Sequence, residues 1–267
     1  MDDLLEPVLA HLDRAEPGEF AGVYLYGSSV SGGLRPDSDV DLLVLTRRSL
    51  TAAERGELTR VLLDSSAWSG HADTFPEAAE GRSLELTCVV IGADGRWPEP
   101  AVHDYQFGEW LRADILAGSV LEPADDPDVP ILLATAQTAH RVLRGAPLAD
   151  VVQPVPMSAL TEAMLGIIPD ILEEIVGDER NTLLAFARIV TTLRTGGDIV
   201  PKDVAATAVA ATLPPEERAL MERARDGYLG VAADDWTGLG EEVTALSHAL
   251  ARQAEELAGR TVTPERE

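Results

Sequence analysis

Apolar residues recur along this chain in two rhythms. Leu4, Leu5, Val8, Leu9 and Leu12 fall three and four apart, so residues 3–14 predict a helix with one apolar face. Gly22-Val23-Tyr24-Leu25 and the run from Val40 to Leu45 have strand length; they predict strands over 21–26 and 40–46, joined by a Gly- and Pro-containing turn. Thr51, followed by Leu58, Val61 and Leu62, predicts a capped helix over 51–64. Residues 70–82 are mixed and polar and read as a loop, whereas Leu84 to Ile91 is rich in β-branched residues and reads as a third strand. A loop carrying Gly92, Gly95, Pro98 and Pro100 comes next, and helical patterns resume at 108–117 and 130–144.

Gly145, Pro147, Pro154 and Pro156 then punctuate 145–157 and mark a domain boundary. Everything beyond reads as helix: 158–175, 178–194, 202–212, 215–227 and 238–258. Pro201 and Pro214 stand at helix starts, and the Gly196-Gly197 pair at a stop. The pattern predicts an α/β domain over 1–152 followed by an all-α domain over 153–267, without internal repeats.

Composition narrows the function classes. At 267 residues and 45% hydrophobic content the chain can bury a substantial core. No stretch approaches the ~20 apolar residues of a membrane span, and the acidic start Met1-Asp2-Asp3 is unlike a secretory signal, so a cytoplasmic location is expected. The lone cysteine, Cys88, lies in an apolar run and reads as a small hydrophobe. A net charge of −25 argues against nucleic acid as partner and suits a cationic small molecule, although a generally acidic surface also serves solubility. Lys202 is the only lysine beside twenty arginines, which singles out its ammonium. The five histidines show no ligand spacing.

The chemistry concentrates at residues 26–41. A Gly27-Ser28-Ser29 turn follows the first strand, and its small residues and free N–H groups suit a phosphate. Asp39 and Asp41 lie one residue apart on the second strand, so they share a face with Cα atoms roughly 6.5–7 Å apart. Two carboxylates at that spacing can converge on Mg²⁺. A lone Asp-x-Asp is common, but charges inside an apolar strand cost several kcal/mol, about enough to require a partner or a metal. Turn, spacing and placement together point to nucleotidyl transfer.

Gly27-Ser28, with Asp39-x-Asp41 beginning eleven residues after the serine, resembles the signature of the polymerase-beta-like nucleotidyltransferases. The longer string from Leu25-Tyr26-Gly27-Ser28 through Gly32-Gly33-Leu34 and Ser38-Asp39-Val40-Asp41 resembles the aminoglycoside adenylyltransferases, which modify the 3″-hydroxyl of streptomycin or the 9-hydroxyl of spectinomycin. Leu84-Glu85-Leu86-Thr87, the segment Gln106 to Arg112, Gly177-Asp178-Glu179-Arg180-Asn181 and the segment Pro201 to Ala206 extend the likeness over nearly the whole chain.

The resemblance implies a nucleotidyltransferase domain with a mixed sheet, closed by a C-terminal helical domain. It implies two Mg²⁺ ions on Asp39 and Asp41, ATP as co-substrate, and Glu85 as the general base, with third metal ligand as the alternative for Glu85. Ser28, Arg188, Lys202 and Tyr228 would meet the nucleotide. Trp110, Asp178 and Glu174 would meet the antibiotic. By their residue types alone, Trp110 also reads as core, Asp178 as the cap of the helix beginning near 179, and Arg188 as a solvated face. Streptomycin-accepting members resemble one another in a tryptophan nine residues before the Asp178 position and an aspartate four before it; Pro169 and Glu174 stand there in this chain. The expectation is therefore adenylylation of spectinomycin at its 9-hydroxyl by a monomer, with streptomycin poor or absent. Two rivals stand beside it: a nucleotidyltransferase for another hydroxylated acceptor, and a non-catalytic nucleotide-binding regulator.

Overall fold

The computed structural model describes residues 2–35 and 38–261; Pro36 of the expected turn lies outside them. Contacts divide these residues into two compact units, one running to Leu34 and then from Ser38 to Pro154, the other from Val155 onward together with Arg35.

The first unit is built on strands β1 (Gly22–Tyr26), β2 (Val40–Thr46), β3 (Leu84–Val90), β4 (Val102–His103), β5 (Tyr105–Phe107), β6 (Ala124–Asp125) and β7 (His140–Gly145). Its helices are α1 (Asp2–Ala15), α2 (Ala52–Ser65), α3 (Arg112–Leu116), α4 (Val129–Thr138) and α5 (Leu148–Val151). Five strands form one mixed sheet in the order β5-β3-β2-β1-β7, with β2 and β3 parallel and the other pairs antiparallel. The short β4 and β6 pair separately. This is the mixed sheet that the sequence leads one to expect.

Period-two alternation sorts the central strands. Val40, Leu42 and Val44 of β2 and Leu84, Leu86 and Cys88 of β3 pack with Leu5, Val8 and Leu12 of α1 and Leu58 and Leu62 of α2. A fully buried Leu or Val contributes about 1.5–3 kcal/mol, so this layer fixes which face each strand turns inward. Asp39, Asp41 and Glu85 therefore share the opposite face, at the N-terminal ends of β2 and β3. The start of α2 follows the sequence closely: Thr51 and Glu54 form a reciprocal capping box.

One expectation fails here. The apolar pattern over 130–144 is a helix only to Thr138; Ala139 turns to extended backbone and β7 follows, paired with β1. Leu132, Leu133, Val142 and Leu143 keep helical spacing, but pairing with the open edge of β1 wins over periodicity. Arg141 and Arg144 then charge the edge strand, which discourages further pairing. Tyr105–Phe107, read with the surrounding loop, is likewise a strand because it pairs with β3.

The second unit is helical: α6 (Met157–Gly166), α7 (Ile168–Glu173), α8 (Glu179–Thr195), α9 (Lys202–Ala210), α10 (Pro215–Tyr228) and α11 (Gly240–Thr261). α8 is its centre, packing on α9, α10 and α11 through Leu183, Leu184, Phe186, Ala187, Val190 and Leu193, all buried. Gly196 stops it in the left-handed region, φ 79°, where glycine carries no Cβ penalty. The helix expected over 158–175 breaks at Ile167, because Pro169 in the first turn of α7 cannot continue a helical ladder. Among the described residues no helix is long and apolar enough to cross a membrane.

Candidate active site

Asp41 is flanked on both sides in the sheet. Its register partners are Tyr26 on β1 and Glu85 on β3, and Val40 pairs with Leu84 one residue earlier. Neighbouring strands lie about 4.8 Å apart, and partners in register point to the same face. The Asp41 and Glu85 side chains are thus adjacent, with Asp39 one step before β2 on the same side. All three are half-buried, while Leu43 and Thr87 beneath them are fully buried. This is a carboxylate ledge on a buried floor.

The turn after β1 closes against that ledge. Gly27 takes φ 70°, and the amides of Val30 and Ser31 both donate to its carbonyl at 3.2 and 3.0 Å. Ser29 Oγ donates to the Tyr26 carbonyl at 2.8 Å, so its hydroxyl braces the turn. Ser28 is half-buried in the same turn. A Cβ at Gly27 would run into the Asp41 carboxylate, so only glycine lets the backbone approach so closely.

Mg²⁺ suits these donors. It takes hard oxygen ligands, binding through one or two carboxylates and completing its shell with water and substrate phosphate. Among the described residues no three His, Cys, Asp or Glu side chains form a ready-made cage. The Asp39/Asp41 pair beside a tight backbone turn fits a metal that shares its ligands with a nucleotide.

Trp110 lies on a single 3₁₀ turn, Glu109–Leu111, and is 55% exposed rather than core. Glu109 and Arg112 on either side are buried, as is His71, and the three are linked by hydrogen bonds. Sequence reading passed over this trio, since charged residues near a tryptophan carry no periodic signal.

In the helical unit, Tyr228 ends α10 with the Lys202 Nζ 5.9 Å from its ring centroid. Arg35 sits 6.0 Å from the same centroid and pairs with Asp203 at 3.4 Å. Tyr228 is therefore flanked by two cations, one of which, Arg35, the sequence did not single out. Lys202 is the first residue of α9, where a cation opposes the helix dipole. Arg188 is half-buried on α8.

Asp178 stands at the start of α8, but its side chain makes no capping bond and accepts from Asn181 Nδ2 at 2.7 Å instead. The residue as a whole is exposed, yet its carboxyl lies in a locally dense setting. Desolvation there raises its pKa, opposed by the Asn181 hydrogen bond and by the charges of Lys202 and Arg180. Glu174 is exposed at the end of α7.

Comparison with known proteins fits this arrangement. Residues 12–68 match the nucleotidyltransferase domain family, and residues 150–253 match the aminoglycoside adenylyltransferase C-terminal domain family. A spectinomycin 9-adenylyltransferase of Staphylococcus aureus is 39% identical over 225 residues, 84% of either chain. An aminoglycoside (3'') (9) adenylyltransferase of Escherichia coli is 35% identical over 259 residues, 96% of this chain and 95% of its own. The crystal structure of a spectinomycin adenyltransferase from Enterococcus faecialis, solved with ATP and spectinomycin, is similar at a TM-score of 0.86 and 27% identity, covering 96% of this chain and 99% of that one. The chain belongs to the aminoglycoside adenylyltransferases, a family of nucleotidyltransferase enzymes.

Proposed function

We propose that this enzyme transfers AMP from ATP to the 9-hydroxyl of spectinomycin, releasing pyrophosphate and conferring resistance. The observation that carries the reading is the in-register pairing of Asp41 with Glu85, with Asp39 two residues before Asp41. Asp39 and Asp41 would hold two Mg²⁺ ions. When bound, these ions would neutralise charge on the phosphates and assist departure of pyrophosphate. Glu85, beside Asp41, accepts the proton of the acceptor hydroxyl as its oxygen attacks the α-phosphorus, a contribution of about 10²–10⁴-fold. Ser28 and the amides of its turn bind the outer phosphates. Arg188 and Lys202 supply counter-charge, and Tyr228 lies along the nucleotide.

For the acceptor, Trp110 offers a flat apolar face, and Asp178 and Glu174 offer carboxylates to its amines and hydroxyls. The acidic balance of the chain, −25, favours such a cation. Pro169 removes a stacking surface, and Glu174 keeps a charge at longer reach, which favours spectinomycin over streptomycin. In this division of labour residues 1–152 carry the metal and base chemistry, and residues 153–267 carry most of the nucleotide and acceptor contacts.

The test is pyrophosphate release from ATP and Mg²⁺ with spectinomycin and, separately, with streptomycin, alongside Glu85→Gln. Turnover on spectinomycin that collapses in the variant is the expected result. Equal turnover on streptomycin sinks the specificity. ATP binding without turnover on either drug would favour the regulatory or other-acceptor readings.

A further inference from the structure

Trp110 is carried by a device that has little stability of its own. A single 3₁₀ turn is marginal in isolation, and the cap position, Gly108, has no side chain to bind it. The indole folds back over Gly108 so closely that a Cβ there would run into the six-membered ring. The plane that Trp110 presents is therefore set by how this turn is fastened to the rest of its unit.

The fastening is charged and buried. Arg112 forks onto Glu109, Nε to Oε2 at 2.6 Å and Nη2 to Oε1 at 2.9 Å. The same Nη2 reaches the carbonyls of Leu63 and Ser66 at 3.0 and 2.9 Å, satisfying acceptors that the end of α2 leaves without helical partners. Burial would raise the Glu109 carboxyl, but hydrogen bonds from Arg112 and Ser66, the Arg112 charge and the bond from His71 hold it below the usual glutamate range. It is thus an acceptor only, and His71 Nε2, 2.8 Å from Oε2, carries the hydrogen between them. His71 is clamped in turn. The rings of Trp68 and Phe75 both meet it edge to face, each at 5.1 Å between centroids.

We propose that His71 is a positioning residue for the acceptor, fixing through Glu109 the orientation of the Trp110 indole. This rests on the reading that Trp110 meets the acceptor. Of the three side chains bonded to Glu109, Arg112 and His71 divide the work, and Ser66, at the end of α2, sides with Arg112. Arg112 ties the turn to α2 and holds the fold, and it does so without His71. His71 holds the Glu109 carboxylate from the side of the Trp68 and Phe75 rings, away from α2, and so limits how far the turn that carries the indole can rock. Its loss should therefore be felt in acceptor binding before it is felt in folding or in nucleotide use.

The test is steady-state kinetics with spectinomycin and ATP varied separately in His71→Phe, His71→Gln, Trp110→Ala and the double variant His71→Phe/Trp110→Ala. Phenylalanine keeps the ring packing and loses the N–H; glutamine keeps an N–H of the same reach and loses the ring. His71→Phe should raise the spectinomycin KM roughly three- to tenfold, leaving kcat and the ATP KM within about twofold, and His71→Gln should lie near the parent. Because the effect runs through Trp110, His71→Phe should add nothing in the Trp110→Ala background. Additive effects there, or a fall in kcat with unchanged spectinomycin KM, overturn the proposal and leave His71 a packing residue. Should Trp110→Ala leave the spectinomycin KM unchanged, the acceptor reading of Trp110 falls and the proposal with it. If Trp110→Ala raises it and His71→Phe does not, the proposal alone falls. If His71→Phe does not fold, His71→Asn, polar but too short to reach Glu109, carries the same expectation.

Discussion

Asp41 and Glu85 are register partners on the two parallel strands of the sheet, so one strand spacing separates the metal-type carboxylate from the base-type one. Their proposed roles are separable because one would act through a bound ion and the other on a proton. Glu85→Gln should lower kcat by about 10²–10⁴-fold with ATP binding largely kept. Asp41→Asn should show its loss as a shifted Mg²⁺ dependence, activity recovering in part at high Mg²⁺. Mg²⁺ titrations of initial rate with each purified variant distinguish the two; identical Mg²⁺ curves would remove the separation.

Gly27 is the second test of the ledge. It has φ 70°, and its missing Cβ leaves room for the Asp41 carboxylate. Gly27→Ala incurs a left-handed backbone penalty of about 1 kcal/mol and must also displace Asp41 or the turn. The expected outcome is a lower unfolding temperature together with a raised Mg²⁺ requirement. Gly33→Ala is the control: it too lies at positive φ, 88°, but its Cβ would meet nothing within 4 Å, so it should lower stability without moving the Mg²⁺ curve.

How far the chain announces this site depends on the kind of signal. β2 and β3 are legible because each is an apolar run of strand length with one acid near its start, and packing of Val40, Leu42, Leu84 and Leu86 on the helices fixes which way the acid points. α2 is legible because Thr51 and Glu54 satisfy its first amides locally. β7 is not, since strand and helix compete for the same apolar spacing and a partner strand more than a hundred residues away decides it. The His71–Glu109–Arg112 trio is equally silent: buried charges are allowed only by mutual pairing, and that pairing exists only once the fold has formed. Arg35 beside Tyr228 is a contact of the same kind, between residues far apart in sequence.

Asp178, proposed to meet the acceptor, carries a stability cost as an ionised carboxylate. Desolvation raises its folded-state pKa, so near pH 7 the ionised carboxylate is held against its preference. With the folded pKa above the unfolded one, the native state binds more protons, and this group's contribution falls as pH rises through that window. Asp178→Asn removes the charge. It should leave the unfolding temperature at neutral pH no lower than the parent's while raising the spectinomycin KM. A variant that loses stability at pH 7 without changing that KM would reverse both halves of the expectation.

Glu54 gives the opposite sign of linkage. Arg48 donates to it at 2.9 and 2.8 Å, and the Thr51 amide and hydroxyl donate at 2.7 and 2.9 Å. The Arg48 hydrogen bonds are the main cause that holds its pKa near 2, against a smaller upward push from burial and with help from Thr51. A carboxylate depressed on folding contributes stability in full above its unfolded pKa of about 4.5, and loses it as pH falls toward 2. Glu54→Gln should therefore lower the unfolding temperature at pH 7, by an amount that narrows steadily as the pH falls from about 4 toward 3. Thr51→Ala removes the other half of the capping box, at a cost of about 1 kcal/mol, and the part of its deficit that comes from the lost bond of the Glu54 amide to the hydroxyl should persist across the same range, because neither group titrates there. Thermal melts of both variants between pH 3 and pH 7 decide the point: parallel curves for Glu54→Gln and the parent would mean that the Arg48 pair, open to water on its arginine side, contributes nothing.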